Sequence, residues 1–176
     1  YRTGSGSERQ FVWMDRSGKE LGRVGNPDSG SPVDPSLSPD SRHVAVTRAI
    51  SGNLDVWLLE LERSVLSRFT FDAATDTYPI WSPDGRRIVF SSNRTGVIDL
   101  YQKPATGAGK EEVLLATKFS KQATDWSRDG RFILYGTLVN GPDIMALNMD
   151  GDRKPFPVVQ TNFSERLAQF SPDGKW

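Results

Sequence analysis

The sequence predicts an all-β fold, a β-propeller of four-stranded antiparallel blades, and three observations predict it. First, one turn recurs, as Ser38-Pro-Asp-Ser41, Ser82-Pro-Asp-Gly85, Ser127-Arg-Asp-Gly130 and Ser171-Pro-Asp-Gly174. The leading serines are 44, 45 and 44 residues apart, and a fixed period of this size is the signature of a repeat architecture. Second, each of the first three turns leads into a short strand-like run: Val44-Ala-Val-Thr47, Ile88-Val-Phe-Ser91 and Phe132-Ile-Leu-Tyr135. These runs are apolar on both parities, as strands covered on both faces are, and face-to-face blades would cover them so. Third, no amphipathic helix of about ten residues is legible, while four short strand candidates recur per unit.

The elements follow in order. Tyr1 to Gln10 is polar and rich in Gly and Ser, and reads as a loop. Phe11–Met14 is the first strand, and a hairpin at Arg16-Ser-Gly18 leads to a short strand at Leu21–Val24. Gly25 to Pro35, rich in Gly, Pro and Asp, is given no secondary structure. The first complete repeat offers Pro35–Ser38, His43–Thr47, Leu54–Leu61 and Leu66–Thr70. The second offers Tyr78–Trp81, Arg87–Ser91, Asp99–Lys103 and Glu112–Ala116, and the third Thr124–Trp126, Phe132–Gly136, Asp143–Asn148 and Phe156–Gln160. Thr106-Gly107 and Asp150-Gly151 are hairpin signals between third and fourth strands. A fourth repeat begins at Leu167–Phe170. Tyr1-Arg-Thr3 resembles the end of a second strand, as in Tyr135-Gly-Thr137. About four repeats are therefore expected in one domain or propeller fragment over residues 1–176. They lie near 36–75, 76–120 and 121–165, with a repeat split between 166–176 and 1–35; a split blade is one way to close a ring and remove sheet edges.

The turn has a local mechanism. Proline presets φ at the first central position, Ser and Asp suit the polar positions, and Gly suits the exit. Asp40, Asp84, Asp129 and Asp173 are read as turn formers on this logic rather than as a carboxylate site. Ser41 in place of the turn glycine, and Arg128 in place of the turn proline, are departures that bear on turn rigidity.

The chain has 176 residues, 25 % charged, with a formal net charge of zero and a pI of about 6.8. A basic stripe is absent, which argues against nucleic acid as a partner. No apolar run approaches the roughly 18 residues of a membrane span, so no membrane insertion is expected. The absence of cysteine excludes thiol catalysis and thiolate metal sites and leaves the redox compartment open. A periplasmic or other extracytoplasmic setting is favoured over the cytoplasm. The chain starts at Tyr1, not Met, and upstream sequence is expected.

The stretch Pro79-Ile-Trp-Ser-Pro-Asp-Gly-Arg-Arg-Ile-Val-Phe-Ser-Ser-Asn-Arg-Thr-Gly96, followed by Asp99-Leu-Tyr101, resembles the WD40-like repeat of TolB-type β-propellers, and the resemblance covers nearly the whole chain. Asn53-Leu-Asp-Val-Trp-Leu-Leu-Glu-Leu-Glu62, with Arg68-Phe-Thr70, looks most like propeller regions attached to bacterial serine/threonine protein kinases. The resemblance implies fold, and the turn residues that carry it are structural rather than functional. Propellers of the family usually have six or more blades. About four repeats therefore imply a fragment, a compact four-bladed ring, or an assembly such as a homodimer completing a ring of about eight blades.

Candidate site residues come from a second acidic set, Asp34, Asp76, Asp125 and Glu165, which precedes the inner strands. The first strand of each propeller blade lines the central channel, so these carboxylates could converge on a divalent cation such as calcium, which takes six to eight oxygen ligands. Tyr78, Asn162 and Gln169 could join them as ligand-binding residues. The acidic residues lie 4, 6, 2 and 6 positions ahead of their turn serines, and such unequal offsets favour solvated or turn-capping roles over one coordination ring. His43 is the only histidine, which excludes a histidine pair within one chain. Gly107-Ala-Gly-Lys-Glu111 lacks the outer residues of a phosphate loop and reads as a hairpin tip. Ser127-Arg-Asp129 lacks the histidine and asparagine of a kinase catalytic loop. Trp13, Trp57 and Tyr101 occupy equivalent third-strand positions, and together with Trp81 and Trp126 are read as core packing rather than a carbohydrate platform.

The expected function is a non-catalytic ligand- or protein-recognition module of a larger bacterial protein, binding at the channel mouth or on nearby loops. The alternative follows from a likeness to lactonase and phosphotriesterase propellers: a metal-dependent, calcium-type hydrolase of esters or phosphotriesters, with the four acidic residues as ligands. The reading leans away from an enzyme.

Overall fold

The computed structural model describes residues 8–139 and 141–174. Tyr1–Thr3, read as a strand end, and Trp176 lie outside the described residues. Fourteen strands and no helix are assigned among those described. β1 (Arg9–Met14) and β2 (Glu20–Asp28) form a two-stranded antiparallel hairpin. Three four-stranded antiparallel blades follow in sequence order. They are β3 (Val33–Leu37), β4 (His43–Ile50), β5 (Asn53–Glu60) and β6 (Val65–Arg68); β7 (Asp76–Trp81), β8 (Arg87–Ser92), β9 (Asp99–Pro104) and β10 (Glu112–Leu115); and β11 (Lys121–Trp126), β12 (Phe132–Thr137), β13 (Ile144–Asn148) and β14 (Pro155–Val159).

The apolar runs are explained by blade stacking. In β8, Ile88 and Phe90 join Ala45, Val56 and Phe69 of the first blade, while Val89 joins Ala123, Ile133 and Tyr135 of the third. All three β8 residues are fully buried, which is why the strand cannot alternate apolar with polar. Replacing a buried Phe such as Phe90 by Ala typically costs about 3–5 kcal/mol. Two further clusters extend the row. Val24 of the hairpin meets Val44, Val46 and Leu59 of the first blade. Beyond the third blade, Leu134, Ile144 and Ala146 meet Ala168 and Phe170. The hairpin thus supplies two outer strands at one end of the row, and the segment through Phe170 flanks the other.

The recurring turn is built the same way each time. In the second blade the Ser82 hydroxyl donates to Asp84 Oδ1 (2.6 Å), which also accepts from the Arg86 N–H (3.0 Å), while Ser82 Oγ accepts from the Arg87 N–H (2.9 Å). Ser38–Asp40 and Ser127–Asp129 repeat this pattern, and Ser171 donates to Asp173 at 2.7 Å. The exit residue is left-handed in all four, with φ of 58° at Ser41 and 69°, 78° and 69° at Gly85, Gly130 and Gly174. Ser41 therefore keeps the turn geometry and takes on the strain that glycine avoids.

Several sequence expectations need correction. Leu167–Phe170 is not a strand, because no second strand pairs with it among the described residues. Gly25 to Pro35 is not without structure: β2 continues to Asp28 and β3 starts at Val33. Trp13 is 44 % exposed, not core, because it sits on the terminal hairpin, whereas Tyr101, between two blades, is 3 % exposed.

Candidate functional site

The inner strands β3, β7 and β11 and the segment 167–169 wall one open cavity of about 800 Å³. The recurring turn lies at one end of each inner strand, so the residues just ahead of each turn serine form this wall. The residue four positions ahead of the serine is Asp34, Tyr78, Ala123 or Leu167, and all four line the cavity. Three of them are left-handed, with φ of 52° at Asp34, 53° at Tyr78 and 57° at Leu167. The strand register shifts at the same places, between Val33 and Ser36 and between Thr77 and Ile80, so the inner strand carries a bulge there. Asp34 and Tyr78 each precede a proline, which favours extended backbone at the residue before it. Non-glycine left-handed residues store on the order of 1–3 kcal/mol of strain each, and such strain clusters at binding sites.

Asp34 is half-buried. Burial pushes its carboxyl above the ordinary value, against a lowering hydrogen bond with the Thr47 hydroxyl; no cation contributes. Thr47 Oγ1 also accepts the Tyr78 N–H at 3.1 Å, tying the first blade to the second. The Tyr78 phenol is raised by burial and then by the Asp34 charge. At the same seam the Trp81 indole N–H donates to the Ser36 carbonyl at 3.0 Å. Asp125 also lines the cavity, but both its oxygens hold backbone: Oδ1 accepts from the Trp126 N–H and Oδ2 from the Phe170 N–H, each at 2.8 Å. Gln169 is exposed on the rim.

The remaining candidates lie elsewhere. Asp76 is fully buried and its carboxylate accepts two bonds from Arg94 Nη2, at 3.0 and 3.1 Å. Burial nevertheless raises its pKa, opposed by Ser92, Arg94 and Thr70. Arg94 is held in turn by Glu111 at 2.6 Å and lies over the Tyr101 ring. Asp76 is thus committed to a buried network. Asn162 and Glu165 sit in the segment after β14. The Thr161 hydroxyl donates to Glu165 Oε1, and Oε2 is buried without a hydrogen-bond partner. The cavity therefore unites Asp34, Tyr78, Asp125 and Gln169 and does not include Asp76, Asn162 or Glu165. Among the described residues no three His, Asp or Glu side chains gather as a metal set. His43 lies in the groove between the first two blades, its ring 6.2 Å from Trp81.

Sequence reasoning passed over Ser36, Gln122, Thr124 and Arg128, which also line the cavity. Their signal was their offset from the turn serine. Cavity residues fall within five positions ahead of it or one behind, whereas Asp76 and Glu165 lie six ahead.

The family described as the TolB beta propeller domain matches residues 15–176. The chain is 24 % identical over 153 residues to the Tol-Pal system protein TolB of Helicobacter pylori (strain J99), covering 83 % of this chain and 36 % of that protein. It is 28 % identical over 110 residues to the uncharacterized peptidase YuxL of Bacillus subtilis (strain 168), covering 59 % of this chain and 17 % of that protein. The crystal structure of TolB from Acinetobacter baumannii superposes with a TM-score of 0.77 at 21 % identity, over 96 % of this chain and 44 % of that one. The chain thus spans less than half the length of each of these relatives. The structural likeness, at this identity, speaks for fold alone.

Proposed function

Since the chain belongs to the TolB beta propeller domain family, we propose that it is a non-catalytic recognition module of a larger bacterial protein that binds a protein segment against its channel wall. One observation supports this most. Four repeat-equivalent residues of different chemistry, Asp34, Tyr78, Ala123 and Leu167, face one cavity, three of them on strained backbone. A purely structural wall would not need a different side chain at each equivalent position. The inner strands are also sheet edges, whose free backbone groups suit an extended chain.

The same proposal includes an extracytoplasmic location and, from the stretch Asn53 to Glu62, attachment to a serine/threonine kinase. It also includes a homodimer that completes a larger ring. The hairpin β1–β2 offers outer strands alone and exposes Trp13 and Met14. Light scattering giving a monomer mass would contradict the dimer.

The test of the recognition reading is a footprint. Peptides selected on this protein from a random linear library should slow amide hydrogen exchange in β3, β7 and β11 when bound. Protection confined to β6, β10 or β14 would overturn the channel as the binding surface.

A further inference from the structure

We propose that the channel wall at the seam of the first two blades is a recognition site for an organic cation, an ammonium or guanidinium group, with Asp34 as its counter-charge and Tyr78 as its aromatic wall. The inference rests on the recognition reading and names the chemistry that this site reads.

The other carboxylate of the wall is already committed, and so are three buried aspartates of the blades. Asp125 spends both oxygens on backbone N–H groups. Asp76 is neutralised by Arg94, and Asp55 and Asp99 are paired with Arg68 and Lys121. Asp34 differs on each count. It lines an open cavity, is half-buried, and has a neutral hydroxyl, Thr47, as its hydrogen-bond partner. Burying a carboxylate without a cation is unfavourable, and an incoming cation relieves that cost. A second, independent feature is the set of rings beside it. Tyr78 and Trp81 line the same cavity, and their faces attract an ammonium or guanidinium group. Third, Asp34 and Tyr78 are both held left-handed, and both meet at Thr47, whose hydroxyl oxygen accepts the Tyr78 N–H and whose O–H donates to the Asp34 carboxylate. The two recognition groups are thereby fixed relative to one another before a ligand arrives, which reduces the ordering cost of binding.

An ammonium group has two sources, a lysine side chain of a protein segment or a free polyamine. The experiment uses the intact chain and follows the Trp81 and Trp126 indole and Tyr78 ring signals by NMR. The probes are the capped peptide Gly-Ser-Lys-Ser-Gly, its norleucine and Nε-acetyl-lysine analogues, and spermidine. Saturable shifts with the lysine peptide assign the side chain of a protein segment, and saturable shifts with spermidine alone assign a free amine; either upholds the cation site. Asp34→Asn should weaken the active probe at least about tenfold, while the surface variant Asp150→Asn should leave it unchanged. Four results overturn the proposal: norleucine or acetyl-lysine peptide binding as well as lysine, Asp34→Asn binding as well as the parent, Asp150→Asn losing as much as Asp34→Asn, or no saturable cation binding up to about 20 mM. The comparison among probes needs no variant, so it decides the matter even if Asp34→Asn misfolds. Library-selected peptides that protect β3, β7 and β11 but bind independently of Asp34 and of positive charge would sink this inference alone. The absence of any channel footprint would remove the recognition reading with it.

Discussion

Two regions only a few residues apart on the same strands obey different rules. On the turn face, the pairs Ser38–Asp40, Ser82–Asp84 and Ser127–Asp129 each make the same three hydrogen bonds with the same geometry, and residue types barely vary from repeat to repeat. On the channel wall, four positions earlier, the residue is Asp, Tyr, Ala or Leu. The turn face satisfies its polar groups, and hydrogen bonds from the turn serine and the following N–H hold Asp40, Asp84 and Asp129 below their ordinary value. The wall holds three of its four equivalent positions left-handed, against one non-glycine exit among the four turns, and leaves a half-buried carboxyl, Asp34, above its ordinary value. A repeat is kept uniform where it must build the fold and differs where the wall faces the cavity.

The comparison breaks first if the turn serines prove dispensable. Ser82→Ala removes the acceptor of the Arg87 N–H and the donor to Asp84 beside a buried position, and should cost on the order of 2 kcal/mol of unfolding free energy. Ser36→Ala on the wall should change stability by less than about 0.5 kcal/mol. Equal costs in urea unfolding would erase the distinction.

Strain gives the next largest effect. Ser41→Gly relieves the one left-handed turn exit that is not glycine and should gain roughly 1 kcal/mol. Leu167→Gly relieves the same kind of strain and should gain about as much; in both variants glycine's unfolded-state entropy offsets part of the relief. Leu167 is 73 % exposed, so little burial is lost with it. A loss of stability in Ser41→Gly would contradict the assigned backbone.

The smallest effect, and the sharpest in sign, is in pH. Asp84 is lowered from 3.8 by the Ser82 hydroxyl and then the Arg86 N–H. Its stabilisation is therefore present above pH 3.8 and lost as pH falls through its folded pKa. Asp34 is raised by burial. Its protonated form is favoured by folding, so the folded protein loses stability as pH rises from 3.8 through the folded pKa. Asp34→Asn should therefore raise the melting temperature relative to the parent more at pH 7 than at pH 3, and Asp84→Asn should lower it more at pH 7 than at pH 3. Melting curves with the same sign for both variants would refute the contrast.

The fold was legible because the turn is a local device whose residues have local reasons, and because doubly covered strands such as Ile88 to Phe90 cannot alternate. The site was legible in part. Asp34, Tyr78, Asp125 and Gln169 line the cavity because each lies two to four positions ahead of its turn serine. Asp76 and Glu165 do not, since six positions ahead of the turn serine lies beyond the cavity. Asp76 was also claimed by Arg94, eighteen residues away in sequence and brought beside it by the pairing of β7 with β8. No local pattern announces such a pairing. The left-handed backbone at Asp34 and Tyr78 was equally hidden, because the prolines that follow them predict extended chain.

The most direct test of the central claim is a paired affinity measurement. A library-selected peptide would be titrated calorimetrically against the parent, the wall variant Ser36→Trp and the turn variant Asp129→Asn. We predict that Ser36→Trp weakens binding at least about tenfold, near 1.4 kcal/mol, while Asp129→Asn leaves it within about twofold. Binding that survives Ser36→Trp and fails in a folded Asp129→Asn would place recognition on the turn face and contradict the account.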